Sequence, residues 1–275
     1  MLILAATPIG NLSDASPRLV EHLISSKFIA AEDTRSLLKL ANALGIKLNA
    51  RLFSLHEHNE NERIEQILEI AGEDDVLVVS DAGMPTVSDP GFLLVRAAVK
   101  ADVAVTIIPG PSAVLSALAV SGLPTDRFTF EGFLPRKTGD RKKAFEALAR
   151  EARTMGFFES PHRILESLED AAAVLGAERQ ASVSRELTKK FEHTQRGTLP
   201  ELVEWAKSEP KGEMVLVIAG AEAVEVKSED LVQQVLALIE DGIGLKQAVA
   251  EIAGAAGAGK SELYQSVLEA RKALR

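Results

Sequence analysis

VLVVSDAGMPTVSDPG, residues 76–91, is the stretch whose reading decides the fold. Its four leading apolar residues, Val76 to Val79, read as a buried strand. The chain then breaks into a loop holding Gly83 and Gly91, Pro85 and Pro90, and the carboxylates Asp81 and Asp89. A buried parallel strand that ends in such a loop is where open α/β sheets place their ligands. A second junction of the same kind follows, where VAVTII (103–108) runs into PGPSAV. Two strand–loop junctions that let a small molecule approach backbone point to an enzyme with a bound small-molecule cofactor.

Working outward, strand and helix patterns alternate through the first 121 residues. LILAA precedes SPRLVEHLISS, KFIAAE precedes TRSLLKLANALG, and LFSL precedes NERIEQILEIAG. Leu19, Val20, Leu23 and Ile24 share one helical stripe, as do Ile64, Ile67, Leu68 and Ala71. Gly45 and Gly72 sit where C-terminal caps are expected. Repeats of this kind predict a mostly parallel sheet with helices on both faces. A boundary is expected near 121–125, at Leu123-Pro124. Residues 122–222 then form a second α/β unit with fewer parallel repeats, in which Ser160-Pro161 is placed to open a helix. Residues 223–275 carry no strand pattern and read as three short helices, a small helix-turn-helix-like appendage. Its mixed charge favours packing or docking over nucleic-acid contact.

Composition excludes several classes. With 275 residues and 46% hydrophobic content, two cores can be built. No apolar run is long enough to span a bilayer, and the opening MLILAATPIGNLSD lacks a basic leader, so a cytoplasmic protein without a secretory signal is expected. Cysteine is absent, which removes disulfides, thiol catalysis and cysteine zinc sites. The net charge of −9 opposes a polyanionic partner unless a local basic surface exists. One candidate is the run Arg136, Lys137, Arg141, Lys142, Lys143, Arg150 and Arg153, which charge alone reads equally as a solvated helix face. GAAGAGKS (254–261) matches the Walker A pattern, yet it follows an amphipathic helix rather than a buried strand. Gly254 and Gly257 read there as helix stops and Ser261 as an N-cap, so no ATP site is expected.

In a doubly wound sheet the carboxyl ends of the strands line one crevice. The polar clusters of the first half fall on that rim: Thr7 to Asn11, Glu32 to Arg35, His56 to Asn59, Asp81 to Val87, and Pro109 to Ala113. Each has a plainer reading. The first cluster could be a simple turn, and Glu32 and Asp33 could serve only to charge a helix N-terminus. His56 and His58 alternate, as on an extended segment, and would face opposite ways; a metal site is not expected. The glycine junctions lack the order of a dinucleotide fingerprint, so NAD is not expected either.

Taken together and in order, TPIGNLSD, AEDTR, SLHEHN, SDAGMPTVSDPG, PGPSA, FLPRK, ESPHR, SRELTK and GEMVLVIAG resemble the tetrapyrrole-methylase superfamily of S-adenosylmethionine-dependent transferases. SLHEHN and SDAGMPTVSDPG resemble its ribosomal-RNA branch; corrin and porphyrin enzymes usually carry a GDP-type loop where this chain has Gly83-Met84-Pro85. The resemblance implies a two-domain class III methyltransferase fold with a small C-terminal helical domain, and a homodimer. It implies S-adenosylmethionine as cofactor, held by Ile9, Met84, Val87, Ser112, Ala113, Phe158, Arg185 and Met214 on loops shaped by Asp81, Gly83 and Gly110. It also implies transfer to the ribose 2′-hydroxyl of cytidine 1402 in 16S rRNA of the small ribosomal subunit.

A ribose hydroxyl is a weak nucleophile and benefits from a base. Glu32, Asp33 and Lys189 are the leading candidates on the rim, with His56, His58, Glu159 and Glu186 behind them. Arg35, Arg136, Lys137, Arg163, Lys189 and Lys190 are the candidate phosphate contacts. Two alternatives stand beside this reading: a methyltransferase of the same fold acting on a tetrapyrrole or other small molecule, and a non-catalytic nucleic-acid-binding metabolite sensor.

Overall fold

In the computed structural model, which describes residues 1–56, 58–222, 228–256 and 258–273, strands form where the first half concentrates short apolar runs. They are β1 (Leu2–Ala5), β2 (Phe28–Ala31), β3 (Arg51–Ser54), β4 (Val76–Val79) and β5 (Val105–Ile108). All pair in parallel in the order β3-β2-β4-β1-β5. The intervening helices are α1 (Pro17–Ser25), α2 (Thr34–Ala43), α3 (Glu60–Glu73), α4 (Phe92–Lys100) and α5 (Ala113–Ser121). Side chains alternate across the sheet. Leu2, Leu4, Val76 and Val78 pack against Ile67 and Ala71 of α3 and Leu94 and Ala98 of α4. Ile3, Ala5, Leu77 and Val79 meet Leu19 and Leu23 of α1 and Leu37 of α2. Both faces are covered, which is why β1 and β4 need no polar residue. Each fully buried Leu or Val contributes about 1.5–3 kcal/mol.

Local signals set most boundaries. Ser16 accepts from Leu19 N–H at the start of α1, ahead of Pro17, and Gly45 follows α2 at a φ of 70°. Gly72 is a correction: α3 continues through it to Glu73 and stops where Asp74 N–H bonds to Ile70 O, so no glycine cap is used.

The second sheet contains β6 (Phe128–Phe133), β7 (Thr154–Glu159), β8 (Gln180–Arg185), β9 (His193–Thr198) and β10 (Met214–Ile218), in the order β6-β7-β10-β8-β9. Only β6 and β7 pair in parallel. One face carries α6 (Thr138–Ala147), α7 (Ile164–Leu175) and α8 (Leu199–Ala206) over Met214, Leu216 and Ile218. On the opposite face Val215 and Val217 meet Ala117 and Leu118 of α5. The helix that closes the first half therefore packs on the second sheet, and Met1–Ala221 is one compact unit. Ser160 does not cap a helix directly. Its carbonyl accepts from Arg163 and Ile164 N–H in a turn that the Glu159 carboxylate braces, and α7 begins after it.

Glu222–Arg275 is a separate unit. Its helices α9 (Ser228–Glu240), α10 (Leu245–Ala256) and α11 (Lys260–Ala273) share a core of Leu231, Val235, Ala248, Val249, Leu263 and Val267. No strand precedes the GAAGAGKS segment: Gly254 lies within α10, Lys260 and Ser261 open α11, and Gly257 lies outside the described residues. Gly254 is thus not a helix stop, nor Ser261 an N-cap. Among the described residues no helix is long and apolar enough to cross a membrane.

Candidate active site

The crevice is built where β1, β4 and β5 end side by side. The loops after β1 and β4 are stitched by two backbone bonds, Thr7 N–H to Gly83 O (2.9 Å) and Gly83 N–H to Thr7 O (3.1 Å). The Thr7 hydroxyl adds a bond to Ser80 O at 3.2 Å. Gly83 is left-handed (φ 81°) with Ile9 beside it, and a β-carbon on Gly110 would press on Ala6 Cβ at 2.9 Å. Those two glycines let three loops converge. Beyond Gly83, Thr86 (φ 76°) and Ser88 (φ 61°) are also left-handed. For a β-branched threonine this is a strained conformation of the kind that collects at functional loops. Ser112 caps α5 by accepting from Leu115 N–H.

The second half closes the crevice from above. Phe158 of β7 is gathered with Phe130 and Phe133, at ring separations of 4.9 and 5.3 Å. Met214 and Val215 open β10, and Leu187 comes from a loop whose neighbours Glu186 (φ 51°) and Thr188 (φ 65°) are left-handed. That loop touches the first half: Asn11 N–H donates to Thr188 Oγ1 (3.1 Å), and a side chain at Gly10 would overlap the Lys189 stem.

Between the halves lies a cavity of about 330 Å³. Of the residues expected to hold a cofactor, Ile9, Gly83, Met84, Val87, Ser112, Ala113, Phe158 and Met214 line it. Asp81, Gly110 and Arg185 do not. Asp81 turns to α2, accepting from Asp33 N–H (3.2 Å) and the Ser36 hydroxyl (3.4 Å). Gly110 supports the loop from behind. Arg185 lines a separate groove with His193, Trp205 and Lys211. The walls of the cavity are mainly apolar and aromatic, and its ionisable lining is Asp89, Glu159 and Glu213, with no Lys, Arg or His among the described lining residues. Such a lining repels a polyphosphate and suits a flat base, a thioether-type tail and positive charge.

The carboxylates differ in state. Glu159 is buried and fully engaged: Oε1 accepts from Ser160 N–H (2.7 Å) and pairs with Arg163 (2.6 Å), and Oε2 accepts from Ser167 (2.7 Å). Glu213 pairs with Lys189 at 2.8 Å. Asp89 has no cationic partner among the described residues. Burial first, then the Glu32 charge and, more weakly, the Asp81 charge push its pKa up to about 6, against a pull from the Ser80 hydrogen bond that is smaller than the first two. Glu32 is also raised, by burial first and then by Asp81 and Asp33, while the Asp81 N–H bond (3.3 Å) offsets part of this.

The other candidate bases are less apt. Asp33 caps α2 and grips Arg35 at 2.7 Å; the hydrogen bonds from Arg35 hold its pKa down to about 2. For Lys189 burial lowers the pKa, but the hydrogen bonds and charges of Glu213 and Glu186 outweigh it and the net shift is upward. Its ammonium stays protonated rather than acting as a neutral base. Glu186 is held low, chiefly by its bond to Lys189. His56 and His58 lie outside the cavity lining, and rather than pointing apart their rings meet edge to face at 6.2 Å.

Of the basic residues, Arg136, Lys137 and Lys190 are exposed. Arg35 is exposed but bonded to Asp33. Arg163 and Lys189 spend their charge on Glu159 and on Glu186 and Glu213. Arg141, counted in the basic run, is wholly buried. Asp89 is the residue that sequence reasoning quoted without assigning. Its signal was a lone acid between a strained loop and a proline, and only its burial and its neighbours distinguish it from Asp81.

The chain matches the family model of tetrapyrrole (corrin/porphyrin) methylases over residues 1–203. It is 47% identical to "Ribosomal RNA small subunit methyltransferase I" of Mycobacterium tuberculosis, covering 98% of this chain and 95% of that protein. Identity to the protein of the same name from Escherichia coli O157:H7 is 44%, covering 98% and 94%. Among solved structures, the methyltransferase CobJ superposes with a TM-score of 0.60 at 20% identity, over 80% of this chain and 94% of that one.

Proposed function

The chain belongs to the tetrapyrrole (corrin/porphyrin) methylase family, and from that premise we propose that it is an S-adenosylmethionine-dependent methyltransferase acting on ribosomal RNA of the small subunit. The observation that carries the reading is the cavity. It is lined mainly by apolar and aromatic side chains from both halves, its ionisable groups among the described residues are acidic, and Met84, Phe158 and Met214 wall it. A cofactor with an adenine ring, a sulfonium and an amino group finds complementary surfaces there, whereas a nucleoside triphosphate would meet like charge. Near-full-length similarity to proteins named as small-subunit rRNA methyltransferases supports the choice of substrate over a tetrapyrrole.

When bound, the sulfonium supplies a methyl group whose bond to sulfur breaks, leaving the electron pair on sulfur, as the attacking oxygen forms its own. The protein's tasks are then alignment and proton removal. Ile9, Met84, Val87 and Phe158 exclude water, and the Thr7–Gly83 backbone pair fixes the two loops that carry the first three. The ribose hydroxyl proton passes to a carboxylate oxygen of Asp89, which has no cation to neutralise it and is made basic by its surroundings. Glu32 and Asp81 support that role from behind by charge, rather than as bases themselves. The finer expectations are a cytidine 2′-hydroxyl at position 1402, a homodimer and a cytoplasmic location. The exposed apolar side chains Val99, Ile107 and Leu115 on α4, the unpaired edge strand β5 and α5 support the homodimer.

Mass spectrometry of 16S rRNA from cells lacking and then regaining the protein tests the function. A 2′-O-methyl cytidine that disappears and returns is expected; an unchanged nucleoside profile refutes it. Methylation of a porphyrin precursor, but not of small subunits, would install the small-molecule reading. Cofactor binding without turnover on any substrate would install the sensor.

A further inference from the structure

The connection Leu134–Lys137, between β6 and α6, is held more firmly than a surface turn requires. Two arginines reach under it. Arg163 pairs with Glu159 at 2.6 Å and its Nη1 donates to the Leu134 carbonyl at 3.2 Å. Arg141, in the first turn of α6, donates from Nε to Asp170 Oδ2 of α7 at 2.7 Å, with Nη2 at 2.7 Å from the same oxygen. Its Nη1 donates to Pro135 O (3.5 Å) and Arg136 O (3.4 Å). Three successive carbonyls thus end on two guanidiniums, each neutralised by a carboxylate. Arg141 is 0% exposed, Glu159 3% and Asp170 6%.

Buried ion pairs are a poor route to stability, because desolvation consumes most of the Coulomb gain and apolar packing does as well. Solvent could satisfy these carbonyls on a surface turn. The arrangement is explained if its product is a fixed loop shape. That loop displays Arg136 and Lys137, both exposed and without an ion pair among the described residues. Its preceding residue, Phe133, lines the cavity.

We infer that Arg141 and Arg163 are positioning residues: they lock this segment so that Arg136 and Lys137 meet the RNA phosphate backbone at a fixed distance from the cavity, and neither touches RNA itself. The inference rests on the rRNA reading above and adds to it the device that presents the basic surface. Donors already held in place lose little freedom on binding, so they favour one register of a folded RNA.

The test uses the full chain and isolated small ribosomal subunits. Methylation by the parent comes first, and a parent inactive on subunits refutes the underlying reading instead. Given an active parent, the double replacement Arg141→Met with Asp170→Leu swaps the ion pair for an apolar pair and frees the Pro135 and Arg136 carbonyls. It is expected to raise KM for subunits about tenfold and to lower the slope of log KM against log salt by about 1, in the direction expected for Arg136→Ala with Lys137→Ala, which should lower it by about 2. Amide exchange across residues 135–138 should quicken, while kcat at saturating subunits and calorimetric affinity for S-adenosylmethionine stay at parental values. If thermal unfolding shows that the double variant does not fold, Arg141→Lys replaces it. Lysine keeps a charge for Asp170 but lacks the second arm for the carbonyls, so the same changes are expected at smaller size. A folded variant with parental KM and salt slope, or with parental exchange across the loop, overturns the inference. So does a fall in kcat without a change in KM.

Discussion

Asp89 and Glu32 on one side of the cavity are treated differently from Glu159 and Glu213 on the other. In the second half Glu159, Asp170 and Glu213 are each matched to an arginine or lysine; Glu159 and Asp170 are buried, Asp170 with its partner Arg141 and Glu159 against a half-buried Arg163. In the first half burial and neighbouring acids raise the proton affinity of Glu32 and Asp89, Asp81 acting on both by its charge, and neither of the two has an ion-pair partner among the described residues. Neutralised acids brace loops and hold their shape over a wide pH range. Unneutralised acids sit near the point where a proton can move at ordinary pH. One side of the cavity is therefore a frame, and on the proposal above the other side takes the proton.

The contrast can be broken most directly at Asp89. Asp89→Asn should cut the single-turnover methylation rate on small subunits by about 10²-fold or more, while S-adenosylmethionine affinity measured by calorimetry stays close to parental. A parental rate would remove the distinction between the halves. Glu159→Ala should do the reverse, lowering unfolding free energy in urea by about 3 kcal/mol because it leaves Arg163 without its buried partner. The protein that remains folded should retain a near-parental kcat.

Smaller effects sharpen the same comparison. Arg136→Ala with Lys137→Ala should raise KM for subunits about tenfold and flatten its salt dependence, read from initial rates at several salt concentrations. The pH profile of kcat/KM should fall on the acid side of about 6 as Asp89 takes up a proton. Glu32→Gln should move that limb to lower pH, since it removes a charge that raises Asp89. Stability carries a matching sign. Asp89 binds its proton more tightly folded than unfolded, so its contribution is most favourable at low pH and is lost as pH rises from its ordinary value through about 6. Thermal melts of Asp89→Asn should exceed the parent above that window and match it below; an excess at low pH would contradict the assignment.

How much of this was legible in the sequence depended on where the determining forces act. The parallel sheet could be read because Val76–Val79 and Leu2–Ala5 are buried on both faces, so every position reports burial. β9, with the sequence HTQRGT, contains no large apolar residue; it is a strand because β8 supplies its partners across the sheet. The polarity switch to an antiparallel second sheet was invisible for the same reason. At the site, the cavity residues on glycine-rich loops stood out, since loops that converge need unusual backbone. Arg141 did not. A lysine-arginine run looks solvated, and nothing near residue 141 announces that Asp170, on the next helix, draws one member inward. Gly72 misled because the local pattern of a helix stop was present, yet the helix continues one residue beyond it to Glu73.

The position of β10 has a consequence for the life of the molecule before it is complete. It is the last strand of the body in sequence, yet it lies between β7 and β8 at the centre of its sheet and supplies Met214 and Val215 to the cavity wall. A nascent chain that has not yet delivered residues 214–218 must hold two strand edges without their shared partner, the state in which β-proteins stick to one another. Until the ribosome has released that segment, the emerging polypeptide has no closed pocket, and catalytic competence arrives late and all at once.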